Sequence, residues 1–584
     1  MKSNFNKYPV VQVRATDEEC RTGWDDIMGE IRQALAKIPD TVKTLAVDCY
    51  QGVFEEEMIS AFRLGLSPKQ IFLSSSCFLP EEEIRALTQD DVTEDRIFGY
   101  MTRLELIRFF DLKKLQELKE QIASIGDGLI LVFGVGASLL LDKPSLLLYA
   151  DMARWEIQLR MRHHQVNNLG ITNRDEPFER QYKRGYFVDW RVLDRHKKKL
   201  MSTWDYVLDT NTSDQPKMLK GSLVLEGLAQ AAHQPFSVVP YFDAGPWGGQ
   251  WMKQVCDLDQ DQENYAWCFN CVPEENSLLL GFGETRFELP SINLVFYRPV
   301  ELLGDPVHAR FGDEFPIRFD FLDTMEGGNL SLQVHPITEY IQQAFGMHYT
   351  QDESYYLLDA KEDATVYLGL KEGVDGNEMI AELKKSENTG SPFPDEKFVQ
   401  KWPAKKHDHF LIPAGTVHCS GKNSMVLEIS STPYIFTFKL YDWGRLGLDG
   451  KPRPINIAHG EQVIQWERDT GWVKDNLINK ITVLETGNDL LVEKTGLHHR
   501  EFIETRRHWF SQAVVHPASD SVQVFNVIEG REIVVESLTN SFQPMVFHYA
   551  ETFIVPAAAG AVKISPHGAS AGKKCATIKA YVRT

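Results

Sequence analysis

The spacing of apolar residues changes once along the chain, near residue 215, and that change restricts the fold more than any motif does. Up to about residue 210, DDIMGEIRQALAKI (25–38) and GYMTRLELIRFFDLKKLQELKEQI (99–122) place apolar side chains at helical spacing. The second of these also sets charge pairs three and four residues apart. Short apolar strands interleave with them: VKTLAVDCY from Val42, then LILVFG and SLLLYAD. Strands alternating with helices predict an α/β domain around a buried parallel sheet. From Gly221 onward, short β-rich segments such as ENSLLLGFGETRFELP, DESYYLLDA, HDHFLIPAG and NSMVLEISS alternate with Gly, Pro, Asp and Asn turns. That pattern predicts sandwiches or barrels. The expected organisation is therefore an α/β domain over 1–215, an all-β domain over 221–460 and a second all-β domain over 461–584. Within the middle domain, 374–401 reads as a helical insertion between strands.

Charge narrows the partners. Lys and Arg number 62 against 82 Asp and Glu, a net charge of -20, which opposes the counterion exchange that nonspecific nucleic-acid binding needs. A small basic pocket for a phosphate is compatible with that balance. No apolar run reaches the roughly 20 residues needed to span a bilayer. The start MKSNFNKYPVVQVRATDEE turns acidic too early for a signal peptide, so no membrane partner and a cytoplasmic location are expected. Eight dispersed cysteines do not make a disulfide framework, and the lone Cys268–Cys271 CxxC reads as two strand cysteines.

In the front domain, GVGAS brings Gly134, Gly136 and Ser138 after an apolar strand. It lacks the Lys of a Walker A loop and the last Gly of GxGxxG, so a tight turn is the plain reading. LAVDCYQGV around Asp48 and LLLYADMARWEIQLR around Asp151 and Arg154 resemble parts of nucleoside and uridine kinases. That resemblance implies a degenerate P-loop kinase-like domain, with a nucleotide or phosphate as its candidate ligand. Phosphoryl transfer without the Lys would need another cation.

The stretch 318–443 carries the metal chemistry. In LQVHP, Gln333 and His335 fall two apart on a strand, so both side chains leave the same face. Glu353 opens the strand of DESYYLL, and His418 follows the PAG turn of IPAGTVHCS. Two imidazoles, a carboxylate and an amide oxygen suit one divalent transition metal and leave room for water or a substrate oxygen. His407 and His409 form an alternative HxH pair on one strand face.

These segments resemble class I mannose-6-phosphate isomerases of the cupin superfamily. The matching motifs are YFDAGPWGG (241–249), FDFLDTMEGGNLSLQVHP (319–336), DESYYLL (352–358), IPAGTVHCSGKNSMVLEIS (412–430) and TFKLYDWGR (437–445), in that order. The carboxy-terminal YAETFIVPAAAGAVKI resembles the family's second half, which implies a two-part cupin region. The resemblance implies His335, Glu353 and His418 as metal ligands, with Gln333 as a fourth and zinc as the expected ion. It further implies interconversion of mannose 6-phosphate and fructose 6-phosphate, with the phosphorylated hexose as partner. Some members carry a catalytic Arg just ahead of YD, where this chain has Lys439 in FKLYDWGR, and Lys cannot reproduce the planar donor fork of Arg. Lys439 and Arg445 are the candidates for that role. Glu428 is either an acceptor beside the metal strands or a satisfied strand carboxylate. Arg453 is a candidate phosphate contact, and Trp247, Gly248 and Gly249 match the entry strand. The chain also reads ITEY after HP, where members carry acidic residues or Lys, so its sugar preference stays open. A sugar-phosphate sensor without catalysis and a bifunctional kinase-isomerase are the competing readings.

Overall fold

The computed structural model describes residues 3–446, 453–496, 498 and 501–584. Two compact units emerge, both discontinuous in sequence: Val10–Ala231 with Pro273–Arg298, and Met1–Pro9 with Ala232–Val272 and Pro299–Thr584.

The unit built on Val10–Ala231 centres on a seven-stranded sheet. Its order is Arg21–Thr22, Lys217–Lys220, Tyr206–Asp209, Leu146–Asp151, Val42–Cys49, Gly128–Gly134, Gln70–Leu73. The last five of these pair in parallel. Val42–Cys49 and Leu146–Asp151 are buried through most of their length, as continuous apolar runs in a covered parallel sheet require. The helix Trp24–Ala36 buries Ile27, Met28, Ile31 and Leu35, the apolar positions that the sequence spaces for a helix. A smaller sheet joins Val10–Arg14 in parallel to Ser277–Phe282, which pairs in turn with Thr285–Pro290.

The GVGAS turn is not a phosphate cradle. The Asp48 carboxylate accepts from the Gly136 and Ser138 amides at 3.0 Å each, and His196 Nε2 lies 3.0 Å away. The amides that an incoming phosphate would need are therefore taken by an internal anion, and a second negative group there would be repelled. Asp151 is likewise satisfied within the fold, by Lys197 Nζ and Asn293 Nδ2 at 2.8 Å each, and Arg154 pairs with Asp194. The kinase-like expectation for this domain is corrected on that ground.

In the other unit the strands are β1 Tyr241–Asp243, β2 Trp267–Cys271, β3 Ile317–Asp323, β4 Leu332–Val334, β5 Glu353–Ala360, β6 Thr365–Leu370, β7 Val399–Pro403, β8 His409–Ile412, β9 His418–Ser420, β10 Ser424–Ser431 and β11 Phe438–Tyr441. They form a six-stranded sheet, β8-β5-β10-β3-β2-β1, and a five-stranded sheet, β7-β6-β9-β4-β11. Then come β12 Thr482–Thr486, β13 Leu490–Lys494, β14 Ile503–Phe510, β15 Val514–His516, β16 Gln523–Glu529, β17 Glu532–Ser537, β18 Met545–His548, β19 Thr552–Val555, β20 Val562–Pro566 and β21 Cys575–Val582. These build sheets ordered β19-β16-β21-β14-β13-β12 and β18-β17-β20-β15. The second pair of sheets thus repeats the strand order of the first, without a counterpart of β11. The second pair closes over Phe510, Phe525, Phe547, Phe553, Ile533 and Ile564.

The expectation of an all-β cupin region after residue 221 is overturned, because helices are interspersed through the same stretch. Besides Gly376–Thr389, which lies in the expected insertion, Gly221–Ala231, Asp305–Phe311, Thr338–Phe345 and Thr470–Asn476 are helical. The chain is mixed α/β throughout. Most of these helices span one or two turns, too short for a 3.6-residue period to stand out against β-rich neighbours.

Candidate metal centre

The ligand candidates meet between the two sheets of the first pair. β4 carries Gln333 and leads directly into His335, while its register partner across β9 is His418. From the facing six-stranded sheet, β5 opens with Glu353. Glu353 Oε2 lies 3.1 Å from His335 Nε2, and Glu353 Oε1 lies 2.8 Å from His418 Nε2. Gln333 Nε2 is 3.2 Å from His418 Nε2. One ligand atom from each of His335, Glu353 and His418 falls within 4.8 Å of the others, and all three residues are buried. Ligand atoms about 2.1 Å from a tetrahedral ion sit roughly 3.4 Å apart, so the observed spacing is slightly inside that of a filled site.

Proton positions test whether a cation fits. His418 Nδ1 lies 2.8 Å from the Thr416 carbonyl oxygen, which can only accept, so Nδ1 carries the hydrogen. In the neutral ring, Nε2 then presents a lone pair to a carboxylate oxygen. Two acceptors at that distance repel unless a proton or a cation lies between them. The donor set is therefore one that a divalent ion satisfies, and the outward Nδ1 contact is the usual partner of a ligating imidazole. Burial alone would raise the Glu353 carboxyl; the imidazoles of His335 and His418 outweigh it and hold the group well below the carboxylate range.

Gln351, which the sequence reading did not single out, joins this centre. Its side-chain amide donates to Glu353 Oε2 at 3.0 Å and to Glu428 Oε1 at 3.2 Å. The i, i+2 relation of Gln351 to Glu353 was the available signal, since it puts both on one face of an extended chain. Glu428 is pushed well above the carboxylate range by burial, and then by the charges of Glu353 and Asp320. Its carboxyl, joined to Glu353 through the Gln351 amide, is part of the centre's surroundings.

Lys439 on β11 is in register with Gln333, on the opposite side of β4 from His418. The sheet thus sets His418, Gln333 and Lys439 in a row. Burial, and then the charges of Arg453 and Arg445 against that of Asp442, push the Lys439 ammonium down to about 8. Arg445 Nη1 lies 3.3 Å from Asp442 Oδ1, and Arg453 Nη1 lies 3.0 Å from Asp442 Oδ2. Ser331 Oγ donates to Asp442 at 2.8 Å, and Arg445 also donates to the Asn329 carbonyl. Among the described residues, three cations therefore stand with one carboxylate.

The other sequence candidates lie elsewhere. His407 contacts Tyr356 OH at 2.9 Å and Glu529 Oε2 at 3.2 Å, and His409 packs edge-on to the Tyr356 ring at 5.5 Å. Burial, then Arg507, depresses His409 to about 3, so it is a neutral core ring outside the cluster. Trp247 is buried against Trp267, with ring centroids 4.6 Å apart. Gly249 has no room for a side chain: a Cβ would stand 2.1 Å from Asp323 Oδ1 and 2.6 Å from the Met325 amide. Cys268 and Cys271 are both buried.

A profile described as "Domain of unknown function (DUF8485)" matches residues 23–233. Mannose-6-phosphate isomerase ManA of Bacillus subtilis is 29% identical over 154 residues, covering 26% of this chain and 45% of that protein. Mannose-6-phosphate isomerase of Streptococcus mutans is 29% identical over 222 residues, covering 37% and 64%. The chain thus spans between about half and two thirds of the length of these curated relatives. The crystal structure of the mannose 6-phosphate isomerase from Bacillus subtilis aligns with a TM-score of 0.49 at 19% identity, over 60% of this chain and 100% of that one. No helix among the described residues is long and apolar enough to cross a membrane. Over part of its length, the chain is distantly related to mannose-6-phosphate isomerases.

Proposed function

We propose that the protein is a divalent-metal-dependent aldose–ketose isomerase acting on a phosphorylated hexose, with mannose 6-phosphate and fructose 6-phosphate as the pair and zinc as the resident ion. The observation that carries this reading is the convergence of His335, Glu353 and His418 with the His418 hydrogen held outward by Thr416. The distant relationship to mannose-6-phosphate isomerases supports the choice of sugar.

The reaction moves a proton between adjacent sugar carbons while charge develops on their oxygens. A divalent ion held by His335, Glu353 and His418, with Gln333 beside them, would supply charge stabilisation to those oxygens. Lys439, with its pKa brought down to about 8, is neutral in a usable fraction near pH 7 and can exchange a proton through Nζ. Glu428, its carboxyl pushed up by burial and by the Glu353 charge, can exchange a proton through its carboxyl oxygen. The cationic surplus of Lys439, Arg445 and Arg453 over Asp442 is suited to the substrate phosphate, since two guanidinium groups offer planar donor forks.

The test is reconstitution of metal-free protein with zinc, manganese or iron, followed by the exchange of mannose 6-phosphate and fructose 6-phosphate. His335→Ala and His418→Ala should each lose stoichiometric metal and turnover. Full turnover in both variants would overturn the reading. Tight substrate binding with metal but no turnover would instead support a sensor, the reading that Lys439 in place of the expected Arg favours.

A further inference from the structure

The second pair of sheets repeats the strand order of the first, so their registers can be superposed residue by residue. In the first pair Asp320 faces Glu428 and Glu353 faces Ser430; in the second Arg506 faces Lys579 and Gln523 faces Tyr581. Glu353 also faces Ile412 ahead of Pro413, as Gln523 faces Val555 ahead of Pro556. Gln333 faces His418, as Val514 faces Ile564, and a His-Pro step follows each strand at His335 and His516. These registers agree on one set of equivalences. His335 becomes His516, His418 becomes Ile564, Glu353 becomes Gln523, Glu428 becomes Lys579 and Asp320 becomes Arg506.

Where the first pair has three carboxylates, the second therefore carries one amide, one buried cation and, nearer solvent, Arg506. It has also gained polar groups where the first is apolar. Leu322 faces Val426 in the first pair, whereas His508 faces Thr577 at the equivalent places in the second. His508, His516 and Thr577 are 5%, 2% and 0% exposed, yet His508 Nδ1, His516 Nε2 and Thr577 Oγ1 have no hydrogen-bond partner. The two ring centroids lie 4.7 Å apart, and the Phe525 ring lies edge-on to His516 at 5.0 Å. Lys579 Nζ, 5.8 Å from the Phe525 centroid, donates to Gln523 Oε1 at 3.1 Å. Toward solvent stand Arg506 and Lys494, 36% exposed each, sharing the Glu504 carboxylate with each other and with Tyr581 OH. Among the described residues, three cations again outnumber one carboxylate. Buried polar groups without partners are costly, and this many in one place mark a place where something else completes them.

We infer that the space between the second pair of sheets is an anion site, taking one phosphate-type oxyanion against Lys579, His508, His516 and Thr577. Such an anion would supply the missing acceptor for Lys579 and Thr577 and a partner for both ring nitrogens. The depression of Lys579 to about 8, by burial and by Arg506 against Glu504, agrees with a cation short of counter-charge. Burial, then Lys579 and Arg506, holds His508 at about 3, so the rings serve as neutral donors. The inference is independent of the isomerase reading, since none of these residues belongs to the metal centre.

The experiment titrates the full-length protein with inorganic phosphate, and separately with mannose 6-phosphate, by calorimetry and by histidine-ring nitrogen NMR. The ring signals of His508 and His516, assigned by His508→Gln and His516→Gln, should move with phosphate. Lys579→Met, which removes a buried ammonium and keeps the volume, should weaken that binding at least tenfold and leave metal uptake by the His335 centre unchanged. Response to both compounds assigns the site to the phosphate group itself, and response to mannose 6-phosphate alone assigns it to a sugar ester; either supports the anion site. Ring signals indifferent to both compounds in the wild-type protein would overturn it, as would an undiminished affinity in Lys579→Met.

Discussion

Glu353 is a carboxyl with no access to water, and its partners are specific: two imidazoles and the Gln351 amide. Gln351 also holds Glu428, so a single amide bridges two buried carboxyl groups. Replacing Gln351 by Leu keeps the packing and removes the donor. Metal affinity measured by calorimetry should fall by about 10–100-fold, the usual effect of losing a partner of a ligating group. An unchanged affinity would reduce Gln351 to a packing residue. Lys439 makes the opposite kind of prediction. The unfolded chain keeps the Lys439 proton up to about pH 10.5, whereas the folded protein releases it near 8. Between those values the unfolded state binds more protons, so stability from this group rises with pH. Its charge thus destabilises the fold fully below pH 8 and ceases to do so above 10.5. Lys439→Met should stabilise the metal-free protein at pH 7 by about 1–3 kcal/mol in urea unfolding, an advantage that fades toward pH 10.5, while abolishing turnover. A variant no more stable at pH 7 would show that the ammonium is well solvated. The common face of Gln333 and His335 was legible because strand parity is local, and the family resemblance supplied Glu353 and His418. The placing of Lys439 beside Gln333 was not, because it depends on which distant strand pairs with β4.

The helix Thr338–Phe345 shows how a short element escapes a sequence reading and still matters to the site. It starts two residues after Pro336, directly behind the strand that carries Gln333 and His335, and it turns Ile341 and Phe345 inward. Phe345 packs on Phe436 with centroids 4.8 Å apart, and Phe438 lies 6.2 Å away on β11, the strand of Lys439. The helix therefore braces both sides of the β4–β11 pairing. Ile341, fully buried, should cost about 2–5 kcal/mol when cut to Ala, as large-to-small core changes do. Urea unfolding checks the loss, and a change below about 0.5 kcal/mol, the scale of surface substitutions, would remove the bracing role. Eight residues hold only about two helical periods, and flanking β-branched and aromatic runs argue for strand. The front sheet was easier to read, since buried parallel strands are continuous apolar runs such as LAVDC and LLLYAD. The GVGAS turn was readable as glycine-rich, but not that Asp48, far upstream, fills it.

Discontinuity is the property of the whole chain that no local pattern announces. Pro273–Arg298 belongs to the unit of Val10–Ala231. Ser277–Phe282 gives Val10–Arg14 its partner strand, and Asn293 Nδ2 donates to Asp151 Oδ2 at 2.8 Å. Asp151 is 1% exposed, so losing that donor leaves a buried carboxylate oxygen unpaired, at a cost of about 1–3 kcal/mol. Losing the whole segment also bares the apolar surface that Leu278, Leu280, Phe282 and Leu289 bury. A fragment ending at Ala231 therefore loses burial and a buried donor on a scale comparable with the roughly 5–15 kcal/mol that holds a typical domain folded. It should unfold without a cooperative urea transition or with one at much lower denaturant. Joining 273–298 to that fragment through a flexible Gly/Ser linker in place of 232–272 should restore a cooperative transition, because the strand and the Asn293 donor return together. If the short fragment unfolded as cooperatively as the linked one, Pro273–Arg298 would be a passenger on this unit rather than a part of its core.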